Sequence, residues 1–126
     1  MFIISWYNSI GEDFMLSIEN TTNTIIVKKS KFITNTFRVF SENEALNIID
    51  TIKEKYKDAT HNCYAYKINN VKRYSDDGEP SGTAGIPILN VLEKNNLNYS
   101  LVIVTRYFGG IKLGSNGLIR AYSKAT

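Results

Sequence analysis

Residues Tyr74–Gly85 read Tyr-Ser-Asp-Asp-Gly-Glu-Pro-Ser-Gly-Thr-Ala-Gly, with the carboxylates Asp76, Asp77 and Glu79, the glycines Gly78, Gly82 and Gly85, and Pro80. No apolar period runs through them, so they form neither a core strand nor a buried helix. Asp77-Gly78 marks a turn, because glycine reaches positive φ without steric cost, and Pro80 fixes its own φ while removing a donor. The chain turns apolar from Gly85 to Leu92, which makes Ser81 or Thr83 the expected N-cap of a helix. A polar glycine loop entering a helix leaves backbone amides pointing outward, and such amides hold anions.

A second loop of similar design follows. Leu101–Phe108 is an apolar run, then comes Gly109-Gly110-Ile-Lys-Leu-Gly-Ser-Asn-Gly117, then Leu118-Ile-Arg-Ala-Tyr122. The order is strand, glycine loop, helix start. It is neither a Walker phosphate loop nor a dinucleotide fingerprint. Tight turns around a small sheet account for two glycine loops with no ligand at all. The sharper reading is an anion or phosphate site, with Ser81, Gly82, Thr83, Arg106, Gly109, Gly110, Lys112 and Arg120 as its contacts.

Upstream of the acidic loop, His61–Ile68 has strand character, and Asn69-Asn70 suits a two-residue hairpin turn into Val71–Tyr74. The side-chain period of two puts His61 and Cys63 on one face. A Cys–His nucleophilic pair is one reading; a buried cysteine acting as a small hydrophobe is the other, and the stronger. Asp76, Asp77 and Glu79 have three readings as well: partners for basic side chains that fix the loop, ligands of a divalent cation, or a general acid/base pair.

Ser41-Glu-Asn-Glu44 is a capping box, and Ala45, Ile48, Ile49, Ile52 and Tyr56 form the apolar stripe of the helix behind it. Thr24–Val39 reads as two strands, with Lys28, Lys29 and Lys31 around the turn between them. A helix over Gly85–Asn96 takes Pro87 in its first turn. Tyr99–Tyr107 is the most apolar strand, covered on at least one face by helices. A third helix starts near Ser115 and is still running at Thr126. The order β-β-α-β-β-α-β-α gives an α+β domain, a mostly antiparallel sheet with helices on one face.

A chain of 126 residues, 43% apolar and 21% charged, is one domain large enough to bury a core. A net charge of +3 permits contact with nucleic acid without demanding it. One cysteine and one histidine exclude a disulfide framework and a closed structural zinc site, and fit a cytoplasmic setting. Residues 1–14 make a poor signal peptide and read as a poorly defined leader or an extra edge strand, with Met15 as an alternative start. No stretch is long and apolar enough to span a bilayer, so no membrane role is expected.

Ser30-Lys31-Phe32, His61-Asn-Cys-Tyr-Ala65, the Tyr74–Gly85 loop, Thr105-Arg-Tyr-Phe-Gly-Gly110 and Leu113-Gly-x-x-Gly-Leu-x-Arg-Ala-Tyr122 together resemble the YigZ/IMPACT family. The match begins near Ser30 and runs to the end; Asn116 stands where the pattern has glycine. The resemblance implies a two-layer sandwich like domain two of a small-subunit ribosomal protein and domain four of elongation factor G. It implies an IMPACT N-terminal-like domain over 15–126 that breaks off within its last helix and lacks the family's further ferredoxin-like domain. It also implies a non-enzymatic role in regulating translation, through RNA, the ribosome or a protein partner (in the eukaryotic branch, a stress-kinase activator). Lys28, Lys29, Lys31, Arg73, Arg106, Lys112 and Arg120 would then meet phosphates, with Tyr74 and Tyr107 available for base stacking. The competing class is a hydrolase using His61, Cys63 and the carboxylates of the acidic loop, with or without a divalent cation.

Overall fold

The computed structural model describes the backbone of residues 4–9, 13–18 and 20–126, and side chains from residue 20 onward. The elements are β1 (Ile4–Ser9), β2 (Asp13–Ile18), β3 (Thr21–Val27), β4 (Ser30–Arg38), α1 (Glu42–Lys55), β5 (His61–Ile68), β6 (Val71–Ser75), α2 (Gly85–Lys94), β7 (Ser100–Tyr107) and α3 (Gly114–Ala125). Strands β1 and β2 pair with each other as a separate antiparallel sheet; the leader expected over 1–14 falls partly outside the described residues. The remaining five strands form one sheet in the order β3-β4-β7-β5-β6, and every neighbouring pair is antiparallel. The α+β class and the antiparallel sheet are as the sequence reading expects.

The layering differs from that expectation in one respect. Strand β7 is buried from Ser100 through Arg106, so it presents an apolar side chain to both faces of the sheet. Leu101 and Ile103 pack with Ala45, Ile49 and Ile52 of α1. Val102 and Val104 point the other way and pack with Ile88 and Leu92 of α2 and Leu118, Ala121 and Tyr122 of α3. Helices α2 and α3 thus make the two-layer core, while α1 covers the opposite face. The physical reason is the central strand itself: burying a Leu- or Ile-sized side chain contributes about 1.5–3 kcal/mol, so neither face of β7 is left to water.

Local chemistry sets the ends of α1. The Ser41 hydroxyl accepts from the Glu44 amide at 3.1 Å, and Glu44 reaches back to accept from the Phe40 amide at 2.7 Å. The return arm of the capping box therefore lands one residue earlier than its usual target.

Candidate functional site

The three carboxylates of the acidic loop diverge. Asp76 turns onto the start of α2: one oxygen accepts from Ala84 N at 3.2 Å and Gly85 N at 2.8 Å, the other from Gly82 N at 3.0 Å. It is the cap of α2 in place of Ser81 or Thr83, whose expected capping role is not realised. The Thr83 hydroxyl instead donates to the Pro80 carbonyl at 2.6 Å, and Ser81 is exposed. The amides of Gly82, Ala84 and Gly85, expected to face outward toward an anion, are occupied by the loop's own carboxylate. Asp77 continues the β5 ladder past the end of β6 by accepting from Asn62 N at 2.7 Å. Among the described residues no group of three or more His, Cys, Asp or Glu side chains is arranged to hold a metal ion.

Glu79 goes to the middle of the molecule. Its side chain is 3% exposed and that of Arg106 6%. Arg106 Nη1 donates to both Glu79 oxygens at 3.0 and 2.8 Å, and Nη2 lies 3.4 Å from the Ser30 hydroxyl. Tyr122 donates its hydroxyl to Glu79 Oε2 through a short bond. His61 Nε2 lies 3.3 Å from Glu79 Oε1. Its Nδ1 lies 2.8 Å from the Asp77 carbonyl, which can only accept, so Nδ1 is the donor. The strand register explains the meeting: His61 and Arg106 are direct partners across β5 and β7, on the face covered by α2 and α3.

Cys63 shares that face but is fully buried. Its thiol donates to the Asp76 carbonyl at 3.0 Å, with the Tyr122 hydroxyl 3.5 Å away. Burial pushes the thiol well above the usual range, and burial likewise raises the Tyr122 phenol. A protonated, sealed thiol is no nucleophile, and no hydrogen bond joins it to His61. Its burial and its partners match the reading of Cys63 as a packing side chain.

The two glycine loops do come together. Gly109 lies so close to the β3–β4 turn that a Cβ on it would sit 2.0 Å from the Lys29 carbonyl oxygen, and its amide donates to the Ser30 hydroxyl at 3.2 Å. A cavity of about 470 Å3 opens between the loops, with His61, Glu79 and Arg106 on one side and Lys112, Gly114 and Ser115 on the other. No side chain caps α3, and its first turn holds no acid. Left-handed backbone in this loop falls on Gly110 and Gly114, at φ 94° and 73°. Asn116 lies inside α3, so the place where the family pattern has glycine does not need one for its conformation.

The remaining predicted contacts divide. Beyond Leu113 lies a second hollow, of about 270 Å3, bordered by Lys28, Arg120 and Lys124 and by no carboxylate. Lys28, Lys29, Lys112, Arg120 and Lys124 are all exposed. Among the described residues none of the five has an ion-pair partner. Arg73 sits on β6, at the other edge of the sheet, 3.9 Å from Glu42. Lys31 lies over the Tyr107 ring at 5.1 Å, and the Tyr107 hydroxyl donates to Asp58 at 2.8 Å. Arg73 thus stands apart from the cation group, while Lys31 and Asp58 hold one face and the hydroxyl of Tyr107. Tyr74 is exposed on β6. Ser30 and Tyr122 were assigned no role from sequence. A tyrosine on the buried stripe of a helix, one turn after Leu118, must find a partner for its hydroxyl, and that was the available signal.

Among the described residues no helix is long and apolar enough to cross a membrane. Residues 28–126 match the family model of the Impact N-terminal domain. The IMPACT family member YvyE of Bacillus subtilis is 53% identical over 80% of this chain and 48% of its own length. The chain thus spans about half of that relative. The crystal structure of a hypothetical protein superposes with a TM-score of 0.80 at 35% identity, over 82% of this chain and 53% of the other. The two-domain translational regulator Yih1 superposes with a TM-score of 0.58 at 25% identity, over 83% of this chain and 44% of Yih1.

Proposed function

This chain belongs to the IMPACT family, and on that footing we propose that it is a binding module of translational control that grips RNA backbone along α3. The observation that carries this reading is the group of five exposed cations, Lys28, Lys29, Lys112, Arg120 and Lys124, none of them paired with a carboxylate among the described residues. A stretch of surface that groups cations without acids between them has field to spend on a polyanion. The opposite layer contrasts with it, since α1 intermixes Glu42, Glu44, Asp50 and Glu54 with its lysines.

Backbone strain favours the same reading. Lys28 and Lys29 occupy the two-residue β3–β4 turn at φ 46° and 66°. Left-handed backbone costs about 1–2 kcal/mol per non-glycine residue, and Asn-Gly would form such a turn at less cost. Two lysines held there place two charges at the lip of the hollow beside α3. The kinship with a translational regulator supports the setting.

The test is a titration of labelled single-stranded RNA followed by anisotropy over a salt series. Five phosphate contacts give a slope of log K against log salt near about −3.5, at about 0.7 per contact. Lys28→Glu with Arg120→Glu should flatten the slope and weaken binding, while Arg73→Glu, at the far sheet edge, should not. Absence of RNA binding at low salt, or indifference to the double charge reversal, refutes the proposal.

A further inference from the structure

The larger cavity, between the two glycine loops, adjoins that cation track at Lys112 and is otherwise lined by other cations than Lys28, Lys29, Arg120 and Lys124. Three observations meet there. Among the described residues no side chain accepts from the first-turn amides of α3 and that turn holds no acid, so the positive end of a twelve-residue helix opens into the space. Arg106 lines the cavity with its side chain only 6% exposed, and its Nε–H has no acceptor. Phe108 stands at the cavity 46% exposed, an aromatic face left in water, with the Arg106 guanidinium 5.5 Å from its ring centre.

The carboxylate in the lining, Glu79, does not oppose an anion. Its charge is matched by Arg106, and its oxygens already accept from Arg106 and Tyr122. What remains uncompensated is positive: the α3 terminus, Lys112 and the spare Arg106 donor. With Arg106 matched to Glu79, Lys112 and the helix end still present about one and a half positive charges, more than a carboxylate balances and suited to a dianion. Pro80, Phe108 and Leu118 supply apolar wall, and a volume of about 470 Å3 falls in the range of small-ligand sites.

We infer that this cavity binds a phosphate monoester with a planar body. The phosphate seats on the first-turn amides of α3 beside Lys112 and Arg106, and the base lies against Phe108. A free nucleoside monophosphate and the phosphorylated end of an RNA share this chemistry. The inference does not rest on the RNA-backbone reading: the two share Lys112 alone, while Arg106, Phe108 and the α3 terminus belong only to this cavity.

Calorimetric titration of the chain with AMP and with adenosine tests it, alongside short RNAs with and without a terminal phosphate. AMP is expected to bind at least about tenfold tighter than adenosine, the loss of one well-made charged contact. Binding of AMP identifies the free nucleotide as a ligand; discrimination between the two RNAs without AMP binding identifies the RNA end. Ser115→Asp places a carboxylate on the same amides. It should abolish monoester binding while leaving the thermal midpoint unchanged or higher, because an acid in the first turn suits the helix. Phosphate-independent binding in both pairs, or unchanged affinity in Ser115→Asp, overturns the inference. So does loss of AMP binding in Lys28→Glu/Arg120→Glu, which would move the phosphate to the cation track.

Discussion

The Glu79–Arg106 pair offers a quantitative test of how this site is held. Both side chains are withdrawn from water, at 3% and 6% exposure. Removing one partner leaves the other as an uncompensated buried charge, which costs about 3–5 kcal/mol. Glu79→Leu strands the guanidinium and also deprives Tyr122 of its acceptor; Arg106→Met strands the carboxylate. Were the two losses independent, the double variant would lose about 6–10 kcal/mol, enough to unfold many domains whose whole stability is about 5–15 kcal/mol. The pair geometry requires a different result. With both charges gone no ion is left buried, and the remaining cost is the orphaned Tyr122 hydroxyl, about 1–3 kcal/mol. Urea unfolding followed by far-ultraviolet circular dichroism at neutral pH gives all four corners of the cycle. The double variant should be more stable than either single one. A double variant that loses the sum of the single losses would show that the two charges do not compensate each other, and the account of the site's floor would fail.

Three further outcomes are expected. Asp76→Ala should cost about 2–3 kcal/mol in urea unfolding, a lost helix cap plus further freed amides; a larger loss in Ser81→Ala than in Asp76→Ala would return the cap to the residues next to the helix. Gly109→Ala forces a methyl into the Lys29 carbonyl and should lower stability by about 1–3 kcal/mol or more, read as a drop in thermal midpoint; an unchanged midpoint would mean that the second glycine loop does not touch the β3–β4 turn. The Cys63 thiol and the Tyr122 phenol, both raised by burial, keep their protons in the folded state after the unfolded chain has lost its own. Their contribution is complete below the ordinary values of about 8.5 and 10 and declines as pH rises above them, by up to about 1.4 kcal/mol per pH unit for each group. Urea midpoints should therefore fall between about pH 9 and 11, less steeply in Cys63→Ala; a flat profile would contradict the burial. At neutral pH the native thiol should resist alkylation until urea is added.

Strong local patterns made much of this molecule legible in advance. The Ser41–Glu44 box, the helical stripe from Ala45 to Tyr56 and the apolar run of β7 each point to an element without knowledge of the rest. The side of the sheet that α1 takes was not legible, because element order says nothing about which face of a doubly apolar strand is still uncovered. Asp76 was misread for a related reason. Capping rules look one to three residues ahead of a helix, whereas this carboxylate folds back from eight and nine positions upstream to Ala84 and Gly85. Both glycine loops were visible as loops, but their meeting depends on the register that sets His61 opposite Arg106. Pairing partners across a sheet are not written in either strand alone. The likeness of the two loops also concealed their difference: one has its amides filled by its own aspartate, and the other leaves them open.

Strand β7 is bonded on both edges and roofed on both faces, so its amides have no route to solvent short of the whole domain opening. In deuterium these protons should be the last to exchange, while those of the β3–β4 turn go early. Arg106 is fastened to that slow frame, whereas Lys28 and Lys29 stand on the exposed turn that joins its edge strand to β4. A ligand that touches both would be met by a buried wall on one side and a solvent-facing turn on the other.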